Sequence, residues 1–114
     1  MGFKVIENIE EYNEIITCEK NKDMLIVAYF TASWCGPCKT VSPVVERIGT
    51  EKDSVMVLKV DVDENEEVAS EYNIDCMPTF LFYKNQSLKE IHRFSGGNLN
   101  MLVQNINNYL ESDN

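Results

Sequence analysis

Cys35 and Cys38, set apart by Gly36 and Pro37 in Trp34-Cys35-Gly36-Pro37-Cys38, are the residues of this 114-residue chain whose type and spacing point most directly to chemistry. Two thiols three positions apart at the start of a helix are close enough to bond each other. The reaction open to such a pair is thiol-disulfide exchange. Cys35 falls at the predicted amino terminus of a helix, where backbone N–H groups without partners and the macrodipole favour a thiolate. Pro37 suits the first helical turn, because the N–H it lacks would have no partner there. Cys35 is expected to be exposed and to attack a substrate disulfide. Cys38, one turn up the helix and shielded, is expected to displace the substrate from the mixed disulfide. Trp34 offers a flat apolar shoulder to a partner chain.

Other uses of cysteine are open to a chain with four of them, Cys18, Cys35, Cys38 and Cys76. A zinc ribbon wants a second close pair, which Cys18 and Cys76 do not form. Structural disulfides add little to a chain long enough to bury a sizeable core. The amino-terminal MGFKVIENIEE has neither the apolar core of an export signal nor the acid-free character of a transit peptide. Gly2 is not followed by the Ser or Thr that an N-myristoylation signal requires. The longest apolar run, Met24 to Phe30, is far short of the ~18 residues of a membrane helix. These features point to a redox pair in a reducing, cytoplasmic compartment. Acidic residues outnumber basic ones by 19 to 10, a net charge of -9, which argues against a nucleic-acid partner or an anionic membrane surface.

The elements that must position the pair are legible as alternating patterns. Phe3 to Ile6 reads as a short strand, and Ile9, Tyr12, Ile15 and Ile16 recur at helical spacing over Glu7 to Glu19, with Asn8 as cap. Met24 to Phe30 is continuously apolar, as a central strand covered on both faces must be. A second helix begins near Cys35, is kinked by Pro43 and stops at Gly49. Ser54 to Asp61 is a further strand and Asn65 to Tyr72 a short helix. TFLFY from Thr79 and LKEIHRF from Leu88 then form an antiparallel hairpin around KNQS. Leu99, Leu102, Val103, Ile106 and Leu110 make a last helix opened by Gly97 or Asn98, with fraying over Ser112 to Asn114. The class is α/β in a single domain over residues 1–114, a central mixed five-stranded sheet flanked by four helices in the order βαβαβαββα.

The sequence resembles the thioredoxin family over nearly its whole length. The resemblance rests on FTASWCGPCK at Phe30 to Lys39, Pro43, KVDVDEN at Lys59 to Asn65, CMPTFLFY at Cys76 to Tyr83 and FSGGN at Phe94 to Asn98. It implies a thioredoxin fold and a protein-disulfide reductase acting through Cys35 and Cys38, with Trp34, Gly36, Pro37 and Lys39 in the active loop. It further implies a cis peptide at Met77-Pro78, whose backbone receives an extended stretch of substrate, and room for that stretch at Gly96. No cofactor or metal is bound in such a protein. NADPH is used indirectly, through a thioredoxin reductase that recharges the disulfide. The partners implied are that reductase and disulfide-bearing proteins such as peroxiredoxins, met by a monomer.

One departure stands out. Thioredoxins usually carry a buried aspartate six residues before the attacking cysteine, and here that position is Tyr29. A phenol, with a pKa near ~10, is a poor base at neutral pH. The first attack is expected to be unimpaired and the resolving step slowed. Lys59, which matches a lysine found near that aspartate in some thioredoxins, is expected to hydrogen-bond Tyr29 or reach solvent. Cys76, beside the proline, is a candidate regulatory thiol. Tyr29 also motivates the alternative of a binding or scaffold module with impaired turnover, which the intact WCGPC opposes. A secretory oxidase ranks last, for want of an export signal. His92 is expected at the surface, and the missing glycine in KNQS bears only on turn type.

Overall fold

Seven consecutive residues, Leu25–Thr31, form a strand buried along its whole length. Leu25, Val27 and Tyr29 enter one apolar cluster and Ile26, Ala28 and Phe30 another, which is why the run shows no polar alternation. The computed structural model describes residues 2–111, so the expected fraying of Ser112 to Asn114 lies outside the described residues. Its elements are β1 (Phe3–Val5), α1 (Ile9–Thr17), β2 (Leu25–Thr31), α2 (Gly36–Glu51), β3 (Val55–Asp61), α3 (Glu66–Glu71), β4 (Thr79–Tyr83), β5 (His92–Ser95) and α4 (Leu99–Glu111). The sheet order is β1-β3-β2-β4-β5. Strands β1 and β2 run parallel to β3, and β4 runs antiparallel to both β2 and β5. The α/β class and the five-stranded mixed sheet with four helices are thus as expected.

Each face of the sheet has its own core. Val41, Val45 and Ile48 of α2 join Leu102 and Ile106 of α4 over one face, with Val57, Phe80 and Phe82 from the strands. Tyr12 and Ile16 of α1 and Val68 of α3 cover the other, over Leu58, Val60, Leu81 and Tyr83. The caps fall where side-chain chemistry puts them. Asn8 Oδ1 accepts the Glu11 N–H at 2.8 Å, and Asn98 Oδ1 accepts the Met101 N–H at 3.0 Å, so Asn98 rather than Gly97 opens α4.

Two local expectations are corrected. Gly49 does not end α2, which runs on to Glu51. A Cβ there would lie 2.7 Å from the Gly2 carbonyl oxygen and 3.1 Å from Val57 Cβ, so this glycine lets the helix lie against β1 and β3. Strand β5 starts only at His92, and of the residues before it Ile91 still donates its N–H to Phe82 O at 2.7 Å. An unanticipated 3-10 turn, Glu19–Asn21, follows α1. Pro43 lies within α2, which continues on both sides of it. In KNQS, Asn85 and Gln86 take φ of 60° and 63°, so they supply the left-handed turn without glycine.

On the α1 face, the Tyr12 and Tyr83 hydroxyls bond each other at 2.7 Å. Burial pushes both phenols above their ordinary range, the second despite its bond to Tyr12. Tyrosines in the unfolded chain ionise first, near pH ~10, so the unfolded state holds fewer protons above that pH and stability falls as pH rises. Denaturant midpoints are expected to drop steeply from about pH 9.5 upward, with a shallower drop in Tyr12→Phe. Gly49→Ala is expected to lower the unfolding free energy by about 1–3 kcal/mol through overpacking, against a helix-propensity gain of at most ~1 kcal/mol, as urea titration would measure.

Candidate active site

The buried strand β2 delivers the chain to the start of α2 through a tight turn in which Cys35 N–H donates to Ala32 O at 3.1 Å. Cys35 then caps α2. Its backbone is extended, at φ -88° and ψ 112°, and its Sγ accepts the Cys38 N–H at 3.1 Å. The sulfur therefore occupies the place of a capping oxygen, among amides that lack helical acceptors. Cys35 and Cys38 are joined in a disulfide with their Cα atoms 5.3 Å apart. Cys38 is shielded, as expected. The expected exposure of Cys35 is corrected: only 4% of it is accessible, because Ala32, Val62 and Met77 pack around the bonded pair.

The rim is more open. Trp34 is 65% exposed, and Gly36, Pro37 and Lys39 are exposed too. The Trp34 ring is not loose, since its Nε1–H donates to Asp63 Oδ2 at 2.9 Å. The Met77-Pro78 peptide is cis, with Pro78 buried and Met77 half-buried against the cysteine cluster. Pro78 O accepts the Gly96 N–H at 2.8 Å, which ties the segment before β4 to the end of β5. Gly96 has φ +106°, and a Cβ there would meet nothing within 4 Å, so its backbone conformation, not crowding by the chain, calls for glycine. Cys76 is exposed beside this segment, its carbonyl accepting the Thr79 hydroxyl at 2.7 Å. Cys18 is partly buried at the far end of α1. His92 is half-buried among the rings of Phe82, Phe94 and Tyr109.

Beneath the pair, Tyr29 is fully buried and stacked on Phe80 at 5.3 Å. Its hydroxyl lies 2.6 Å from Ser42 Oγ and 3.2 Å from Cys38 O. Lys59, its register partner on β3, makes no hydrogen bond to the phenol, and its side chain, 32% exposed, reaches solvent in part. Its Nζ lies 4.0 Å from Glu46 Oε2, because the phenol already has partners on α2 while a carboxylate from that same helix is within reach. Beside Cys38 opens a cavity of about 520 Å³ lined by Ser42, Glu46, Lys59 and Asp61 among others. Asp63, Ser42 and Glu46 were not singled out from sequence, and Gly97 was read only as a candidate opener of the last helix. A Cβ on Gly97 would touch Pro37 at 3.6 Å, and the doubled glycine of FSGGN was the only hint.

The Thioredoxin family model matches residues 4–108. The chain belongs to the thioredoxin family. It is 44% identical to the thioredoxin of Ictalurus punctatus, across 92% of this chain and 99% of that one. To thioredoxin H-type 1 of Nicotiana tabacum it is 41% identical, across 86% and 76% respectively. The Fasciola hepatica thioredoxin structure superposes with a TM-score of 0.84 at 42% identity, covering 92% of this chain and 97% of that chain. This chain is a protein-disulfide oxidoreductase whose redox group is its own Cys35-Cys38 disulfide. A binding module with incidental cysteines is not favoured. No cluster of metal-binding side chains occurs among the described residues, and no helix there is long and apolar enough to cross a membrane. Proteins of this family are generally reduced by a thioredoxin reductase.

Since Trp34 is the sole tryptophan, its fluorescence isolates this rim. Asp63→Ala is expected to speed the indole's local motion in anisotropy decay while changing stability by less than about 1 kcal/mol, because the lost bond is at the surface.

Proposed function

We propose that this protein reduces disulfides of partner proteins with Cys35 as attacking and Cys38 as resolving thiol. The observation that carries the assignment is the capping position of Cys35 Sγ, which accepts the Cys38 N–H. The same amide stabilises a thiolate at Cys35 in the reduced form. Cys35 thiolate attacks a substrate sulfur, and the other substrate sulfur leaves with the bonding electron pair and takes a proton. Cys38, once deprotonated, then attacks Cys35 Sγ, releasing the second substrate thiolate. The dithiol loses two electrons and the substrate disulfide gains them.

Docking uses Trp34 as an apolar shoulder and the backbone of Met77, beside Pro78 and Gly96, as a short strand edge for the substrate. Gly36 and Pro37 hold the loop, Lys39 borders it, and Tyr29 and Lys59 tune the setting of Cys38. Cys76, exposed at the same edge, is a thiol whose oxidation obstructs docking. The protein works as a cytoplasmic monomer, one domain over residues 1–114. It draws electrons from NADPH through the reductase and passes them to proteins such as peroxiredoxins.

Insulin reduction at catalytic protein concentration, with dithiothreitol as electron source, tests this reading. Cys35→Ser is expected to abolish turnover to background, and Cys38→Ser to accumulate a stable mixed disulfide with the substrate, visible by mass spectrometry. Turnover that survives in Cys35→Ser would sink the assignment.

A further inference from the structure

A buried thiol that must act as a nucleophile needs somewhere to send its proton. Cys38 is 2% exposed, yet it borders the cavity of about 520 Å³ that also touches Ser42, Glu46, Lys59 and Asp61. With ~30 Å³ of liquid volume per water molecule, this open cavity, lined by both polar and apolar atoms, has room for a water chain between the sulfur and the carboxylates.

The groups facing Cys38 are few and unequal. From β2, the Tyr29 hydroxyl lies 3.2 Å from Cys38 O, 2.6 Å from Ser42 Oγ and 3.4 Å from Thr31 Oγ1. Its single proton is committed to a hydrogen bond, and a neutral phenol is a poor base. From β3, Asp61 Oδ1 already accepts two backbone N–H groups, those of Asp63 at 2.9 Å and Glu64 at 3.3 Å. The two cations, Lys39 on α2 and Lys59 on β3, donate only. Glu46, on the same helix as Cys38 and two turns further along, has Lys59 beside it at 4.0 Å, close enough to orient the carboxylate and too far to occupy it with a short hydrogen bond.

We propose that Glu46, oriented by Lys59, is the proton acceptor for Cys38 in the resolving step, through water in this cavity. The proposal rests on the Cys35-attacks, Cys38-resolves reading. In the mixed disulfide, the Cys38 S–H proton passes by way of water to the Glu46 carboxylate. The resulting thiolate attacks Cys35 Sγ, the Cys35–substrate S–S bond breaks, and the substrate sulfur departs with the electron pair. Glu46 then returns its proton to solvent or to the leaving thiolate. Electrons move only between sulfurs, and the carboxylate is regenerated. The cavity thus supplies what the phenol at position 29 cannot.

Stopped-flow reaction of the reduced protein with an aryl disulfide whose released thiolate is coloured separates the two steps, the first release reporting Cys35 and the second Cys38. Glu46→Gln is expected to leave the first phase intact and slow the second at least about ten-fold near neutral pH, as loss of a general base does. The deficit should close above about pH 9, where a thiol ionises without help. Glu46→Asp is expected to recover part of the rate, and Asp61→Asn, which keeps an oxygen for the two N–H bonds, to change it little. An unchanged second phase in Glu46→Gln, or a slow one in Asp61→Asn instead, would overturn the role of Glu46 alone. A first phase lost in Cys38→Ser but retained in Cys35→Ser would overturn the underlying order of attack.

Discussion

The amides in the first turn of α2 have no backbone acceptors, and the chain sets the sulfur of Cys35 among them. Most of the fold can be understood as the means of holding that one arrangement in place. A helix terminus polarises whatever lies at its cap, but the effect fades within a turn. The sulfur must therefore sit at the cap itself, and the neighbouring structure has to hold it there. The strand feeding the turn is the most deeply embedded in the sheet, hydrogen-bonded to β3 on one side and β4 on the other. The helix that receives it is anchored through Val41, Val45 and Ile48, and Gly49 draws its far end onto β1 and β3.

The two faces of the sheet handle buried polarity differently. Over α1, Tyr12 and Tyr83 satisfy each other, and Tyr72, also on that face, donates to Asn13 Oδ1 at 2.7 Å. These phenols pack as aromatic bodies with paired tips. Over α2, the Tyr29 hydroxyl instead bonds across to the helix, to Ser42 and to the carbonyl of Cys38. It links the strand beneath the active pair to the backbone of the resolving cysteine. A hydrogen-bonded phenol thus stands beneath the active pair, while the charged groups Glu46, Lys59 and Asp61 gather around the cavity alongside.

Burial of the disulfide and exposure of its rim are complementary. Ala32, Val62 and Met77 close around the sulfurs, while Trp34 stands out with its ring hydrogen-bonded to Asp63. An extended partner chain can meet the rim before any sulfur is reached.

Periodicity made the alternating elements readable, because a continuous apolar run such as Met24 to Phe30 has few homes other than the middle of a sheet, and Asn8 and Asn98 carry oxygens suited to capping. WCGPC disclosed the chemistry, since the effect of a helix terminus on a thiol is local and travels with the sequence. Gly49 misled because a glycine that stops a helix and one that admits a neighbouring backbone look the same until β1 and β3 are in place. The same holds for the cavity. Ser42 and Glu46 lie on one helix and Lys59 and Asp61 on one strand, but their meeting beside Cys38 depends on how α2 crosses β3. The sequence by itself determined the redox pair, its polarising helix end and the layered sheet, all consequences of short-range bonding and hydrophobic period. Only the tertiary structure decided that Cys35 is covered, that Tyr29 is tied to α2 and that Lys59 turns to Glu46. Those outcomes depend on distances between segments far apart in the chain, which no local pattern encodes.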